Sequence, residues 1–147
     1  MKRIVKYVRL SRKEKKLFGR AILLLISWRI RLAYQSFERA ARHNSQASAQ
    51  FFASRPQSSP SQRIAALLDA AARIIPFSTC LSKALAGNVL FSSHGYKTKL
   101  HIGVSKENDG SLKAHAWLTL DDKIITGFVE DICCYKEMPL SQNGCGQ

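Results

Sequence analysis

The sequence predicts an α+β protein: N-terminal helices, then a cysteine-bearing helix packed on a small antiparallel sheet. Three observations predict it. Apolar residues recur at spacings of three and four through Leu17, Ala21, Leu24, Trp28 and Leu32. The Ala- and Leu-rich run at 63–75 continues the helical regime, whereas from Lys97 onward the period drops to two. Between the two regimes stands Cys80, just after Ser78 and Thr79, where a new helix can begin.

The elements follow in order. Residues 1–10, MKRIVKYVRL, form a short lead-in. Ser11 with Glu14 makes a capping-box pattern that opens helical sequence to about Arg42, as one helix or two. Residues 44–62, NSQASAQFFASRPQSSPSQ, are rich in Ser, Gln and Pro and predict a linker. RIAALLDAAARII, 63–75, predicts a helix that ends at Pro76, because the residue before proline avoids the helical region. The next helix runs from Cys80 to about Phe91, with Leu81, Ala84 and Leu85 on its apolar side and Gly95 in the closing turn. KTKLHIGV (97–104), KAHAWLTL (113–120) and KIITGFV (123–129) alternate as strands. An Asp-Gly signal in ENDG (107–110) and the tight turn Asp121-Asp122 join them as a meander.

With 147 residues and 46% hydrophobic content, the chain can bury a core. Its net charge of +13 is unevenly placed: residues 1–43 hold 13 Lys/Arg against 2 Glu, and residues 44–147 hold 10 against 8 Asp/Glu. Three readings compete for the basic segment. A nucleic-acid patch would neutralise phosphates. A membrane-surface helix would lay an apolar face in the headgroups. A solvated face that docks an acidic partner is the plainest. Tyr7, Phe18, Trp28, Tyr34 and Phe37 fall near helical spacing, so core packing accounts for them without base stacking and no nucleic-acid partner is expected. The apolar run 21–28 is shorter than the roughly 20 residues of a spanning helix and is bracketed by Arg20, Arg29 and Arg31. No small-residue cleavage site follows it closely, so a cytoplasmic protein is expected.

Cys80, Cys133, Cys134 and Cys145 fit no paired C-x-x-C zinc pattern, so no metal and no cofactor are expected, and free thiols are. Cys133, Cys134 and Cys145 suggest no role. Cys80 falls in the first turn of a helix, whose unpaired N–H groups and partial positive charge favour a thiolate and can bind a developing oxyanion. The bland alternative is a small buried hydrophobe. A nucleophile needs a base, and His43, His94, His101 and His115 are the candidates. His115, between Ala114 and Ala116 on a strand, leaves room for another element to approach. A lone strand histidine is more often structural, so the residues alone leave both readings open.

In order, TCLSKALA, GYKTKLHIGV and LKAHAWLTLDDKII resemble the leader peptidases of lasso-peptide biosynthesis, the B proteins of the transglutaminase-like cysteine protease superfamily. The match covers roughly 63–128, and LSRKEKKLFGRAILLL resembles the family's N-terminal segment. The resemblance implies a transglutaminase-like, papain-like core, set at 63–140; charge and composition set before it a basic helical segment 1–43 and the linker 44–62, and after it a flexible tail 141–147. It implies Cys80 as nucleophile and His115 as base. It also implies an Asp about twelve residues past the histidine, where this chain has Gly127. Asp121, Asp122, Glu130, Asp131, a backbone carbonyl or water are the substitutes to weigh. The implied reaction removes the leader from a precursor peptide before an ATP-dependent lasso cyclase acts. With no room for the family's added winged module, the implied partner is a separate leader-recognition protein. Two other classes compete: a transglutaminase-type acyl transferase using the same pair, and a non-enzymatic basic module binding nucleic acid or a membrane surface.

Overall fold

The computed structural model describes residues 10–52 and 60–138. Helix α1 spans Arg12–Tyr34. Its start is fixed reciprocally: the Ser11 hydroxyl accepts from the Glu14 N–H at 3.3 Å, and the Glu14 carboxylate accepts from the Ser11 N–H at 2.8 Å. Gln35 turns extended, and α2 follows as Phe37–Phe52. From Arg12 onward the basic segment is therefore two helices. Leu17, Phe18, Ala21, Leu25 and Trp28 form the buried stripe of α1, at the spacing expected of one helix face.

The expected linker 44–62 is corrected over its first half, since residues 44–52 belong to α2. The reason is tertiary. Asn44 is buried, donates from Nδ2 to the Leu85 carbonyl at 2.8 Å, and accepts from Asn88. A polar residue satisfied inside the core holds a segment whose composition reads as loop. Residues 53–59 and the tail 141–147 lie outside the described residues.

Helix α3 spans Ser61–Ile74 and buries Ile64, Leu67, Leu68 and Ala71. Arg63 on α3 pairs with Glu14 on α1. Helix α4 spans Cys80–Ser92 and is buried without a break from Ala84 to Ser92. Such a helix, apolar nearly all round, belongs at the centre of a core. It packs against α1, α2, α3 and the sheet. Its neighbours crowd it at Gly87, where a Cβ would lie 2.8 Å from both Leu118 Cδ1 and Leu68 Cδ2. Side chains of α1, α3, α4 and the sheet form one cluster, so α1 and α2 are part of the core rather than an appended segment. This corrects the expected boundary between 1–43 and 63–140.

The strands are β1 (Lys99–Lys106), β2 (Leu112–Leu120), β3 (Lys123–Thr126) and β4 (Lys136–Glu137). They form an antiparallel sheet in the order β3-β2-β1-β4. Asp121 and Asp122 sit at φ 49° and 61°, the left-handed pair of a two-residue hairpin turn. The third strand stops at Thr126 rather than Val129, because Gly127 turns the chain with φ 83°. Consequently β3 pairs only with Leu118–Leu120, and among the described residues no strand lies beside the rest of that β2 edge. A 3₁₀ turn, Ile132–Cys134, leads into β4. Two-residue β4 is too short to leave a periodic signal. The architecture is α+β, as the sequence predicts.

Candidate active site

Cys80 is the first residue of α4, seated by the preceding cap. The Thr79 hydroxyl accepts from the Ser82 N–H at 3.2 Å, and the Thr79 N–H donates to the Ser82 hydroxyl at 3.0 Å. The cap thus consumes the third N–H of the helix. The N–H groups of Cys80 and Leu81 have no acceptor within the helix, by helix geometry. Cys80 itself is half-buried.

Cys80 and His115 line one open cleft of about 550 Å³. Its walls include Asp69 and Lys83 from α3 and α4, and Gly127 and Phe128 from the segment after β3. Lys83 Nζ lies 2.9 Å from Asp69, and the Thr126 hydroxyl donates to the same carboxylate at 3.3 Å. Alternation along β2 sets His115 and Trp117 on the opposite face from Leu118, which meets α4. Although it stands on that opposite face, His115 lines the cleft together with Gly127 and Phe128, beside the part of the β2 edge that β3 does not pair. No hydrogen bond joins the thiol to the imidazole among the described residues.

What holds the imidazole is the main chain. His115 Nε2 lies 2.7 Å from the Gly127 carbonyl, so Nε2–H donates there and Nδ1 is left with the lone pair. Gly127 stands at the position where the resemblance implies an Asp. A Cβ on Gly127 would lie 2.8 Å from the Ala116 carbonyl oxygen and 2.9 Å from Trp117 Cα, and φ is 83°. Both contacts are with backbone, so a side chain here requires the strand to move. The carboxylates weighed as substitutes are elsewhere. Asp121 and Asp122 form the hairpin turn, and Asp131 lies 4.0 Å from Lys113. Neither these nor Glu130 bonds to His115 among the described residues.

The ring is also packed in place. Trp117 lies nearly parallel to it, with centroids 6.2 Å apart, and Tyr135 tilts against it at 5.6 Å. Trp117 stacks in turn on His101 at 5.5 Å and 5°. His101 is fixed at both nitrogens, with Nδ1 2.8 Å from Glu137 and Nε2 2.9 Å from the Thr119 hydroxyl. Gly103 makes room for this group, since a Cβ there would lie 2.8 Å from Tyr135 Cβ and 3.0 Å from the Trp117 ring. Sequence reasoning missed the set. A glycine inside a strand pattern was the available signal for a close approach.

Of the other sequence candidates, His94 bonds back to the Leu90 carbonyl at 2.8 Å and His43 packs on Trp28, so neither joins the cleft lining. Cys133 and Cys134 are exposed at the 3₁₀ turn, and the bond to Cys133 pushes the Cys134 thiol above its ordinary value. Cys145 lies outside the described residues. Among the described residues, no group of three or more His, Cys, Asp or Glu could hold a metal ion.

A family model described as the transglutaminase-like superfamily matches residues 22–139. The matched span takes in most of α1 as well as α2, α3, α4 and the sheet. No curated protein and no solved structure matches the chain.

Proposed function

The chain belongs to the transglutaminase-like superfamily, and from that premise we propose that it is a cysteine peptidase releasing the leader of a lasso-peptide precursor. The superfamily carries cysteine-peptidase or acyl-transferase chemistry. The observation that carries the peptidase reading is the shared cleft: a cysteine at a helix start and an imidazole locked by a main-chain carbonyl. The narrower choice of substrate is supported by the order TCLSKALA, LHIGV and AHAW, which resembles the B proteins.

The chemistry follows from the atoms. With Nε2–H committed to the Gly127 carbonyl, Nδ1 of His115 is the base that takes the Cys80 proton. The sulfur attacks the carbonyl joining leader to core. The N–H groups of Cys80 and Leu81 are placed to donate to the developing oxyanion. The imidazolium then gives its proton to the departing amine, leaving the leader as a thioester on Cys80. Water, deprotonated by the same imidazole, attacks the thioester and frees the leader acid and the thiol. The freed core amine passes to an ATP-dependent cyclase, and a separate recognition protein presents the precursor.

The test combines the protein, the recognition protein and the precursor, read by mass spectrometry. Two peptides whose masses sum to the precursor plus one water are expected, with cleavage lost in Cys80→Ala and in His115→Ala. Cleavage that survives Cys80→Ala overturns the reading. A heavier adduct in place of two fragments moves the chain to acyl transfer.

A further inference from the structure

The outward side of α1 changes character along its length. Near its start, Arg12, Lys15 and Lys16 are exposed, and none has a carboxylate partner among the described residues. Past Gly19 the same side presents Leu23, Ile26, Ile30 and Tyr34, exposed at 68%, 41%, 54% and 87%. Their spacings of three and four set them in a line roughly 16 Å long at the helical rise. This line is separate from the core stripe that begins at Leu17. Exposed Arg29 flanks it. Helix α1 is therefore apolar on two sides, and only one of them is used inside the molecule. A contiguous exposed apolar line rimmed by charge marks a contact surface.

We propose that this side of α1 lies on an anionic lipid bilayer. Leu23, Ile26, Ile30 and Tyr34 sit below the headgroups, and Arg12, Lys15, Lys16 and Arg29 meet the lipid phosphates. Shape and charge select this occupant. The stripe stands on the convex outer side of one helix, and a plane touches such a ridge along its whole length. A second copy would bring the same uncompensated positive charge to the contact. An exposed tyrosine at the end of the stripe suits the boundary between hydrocarbon and water. No described helix is long and apolar enough to cross a membrane, so the contact is one of lying on the surface.

The experiment is cosedimentation of the whole protein with vesicles of phosphatidylcholine, with and without about a quarter phosphatidylglycerol. Binding to the anionic vesicles is expected, weakening as salt rises from about 0.1 to about 0.5 M. The combined Leu23→Gln, Ile26→Gln, Ile30→Gln variant should partition roughly tenfold more weakly, as should Arg12→Gln, Lys15→Gln, Lys16→Gln. These side chains face outward, so circular dichroism and melting should match the parent. The idea is overturned if the parent ignores anionic vesicles or if the glutamine variant binds as well as the parent. It is equally overturned if sedimentation shows a dimer that the glutamine variant abolishes. Cys80 takes no part in the readout, so the result is independent of peptidase activity.

Discussion

Gly127 does with its backbone what a side chain would do elsewhere. Inserting the carboxylate that the resemblance implies should therefore harm the site rather than complete it. Gly127→Asp forces a side chain at φ 83° against the Ala116 carbonyl and Trp117 Cα. A loss of roughly 1–3 kcal/mol in stability is expected from strain of this kind, read by denaturant melts, together with slower alkylation of Cys80. A variant as stable and reactive as the parent would show that the close approach does not constrain the chain. His101 reaches the His115 ring only at one remove, by stacking on Trp117. His101→Phe removes both of its hydrogen bonds, to Glu137 and to Thr119. It should change the pH profile of cleavage while leaving KM near the parent value, because His101 does not line the cleft. A KM change at constant kcat would assign His101 to substrate binding instead.

Among the elements, the start of α1 and the β2–β3 turn make separable contributions. The Ser11 N–H and the Arg63 guanidinium hold the Glu14 carboxyl below its ordinary value of 4.5. A depressed carboxylate stabilises the fold above its ordinary value, and that contribution fades as pH falls through the folded value. The parent should thus melt above Glu14→Gln at neutral pH, and the gap should close in acid. A gap that persists in acid would assign the effect to packing. At the turn, Asp122 occupies φ 61° without being glycine. Asp122→Gly should raise stability by about 0.5–1 kcal/mol, measured by denaturant melts, because Asp-Gly suits this hairpin geometry. The helices and three strands were legible from apolar period and from caps such as Ser11 and Thr79. The second half of α2 was not, because Asn44 is held by Leu85 and Asn88, partners more than forty residues away. Nor was the end of β3, where one glycine outweighs an alternating run.

For the whole molecule, the central question is whether residues 63–147 fold alone. They carry Cys80, His115 and the sheet, and the sequence reads as if they were sufficient. The buried cluster says otherwise, since Leu17, Phe18, Leu25 and Trp28 pack with α3 and α4 side chains in one core. A chain shortened to residues 63–147 should lose near-ultraviolet dichroism and bind a hydrophobic dye. Asn44→Ala in the full chain, which leaves the Leu85 carbonyl and Asn88 short of partners, should cost about 1–3 kcal/mol by denaturant melt. Residue types brought Cys80 and His115 forward as candidates and the resemblance joined them; the fold sets both along one cleft. The acceptor on the imidazole was not legible in the sequence, because the conformation of a glycine 12 positions along decides it.

An acceptor made of peptide carbonyl has no proton to gain or lose. Acidification cannot switch off the oxygen that aligns the ring. The group that aligns the ring should therefore add no ionisation of its own to the acid limb of cleavage. No exchange of one side chain for another can delete that oxygen, so the alignment of His115 is a property of the chain's path.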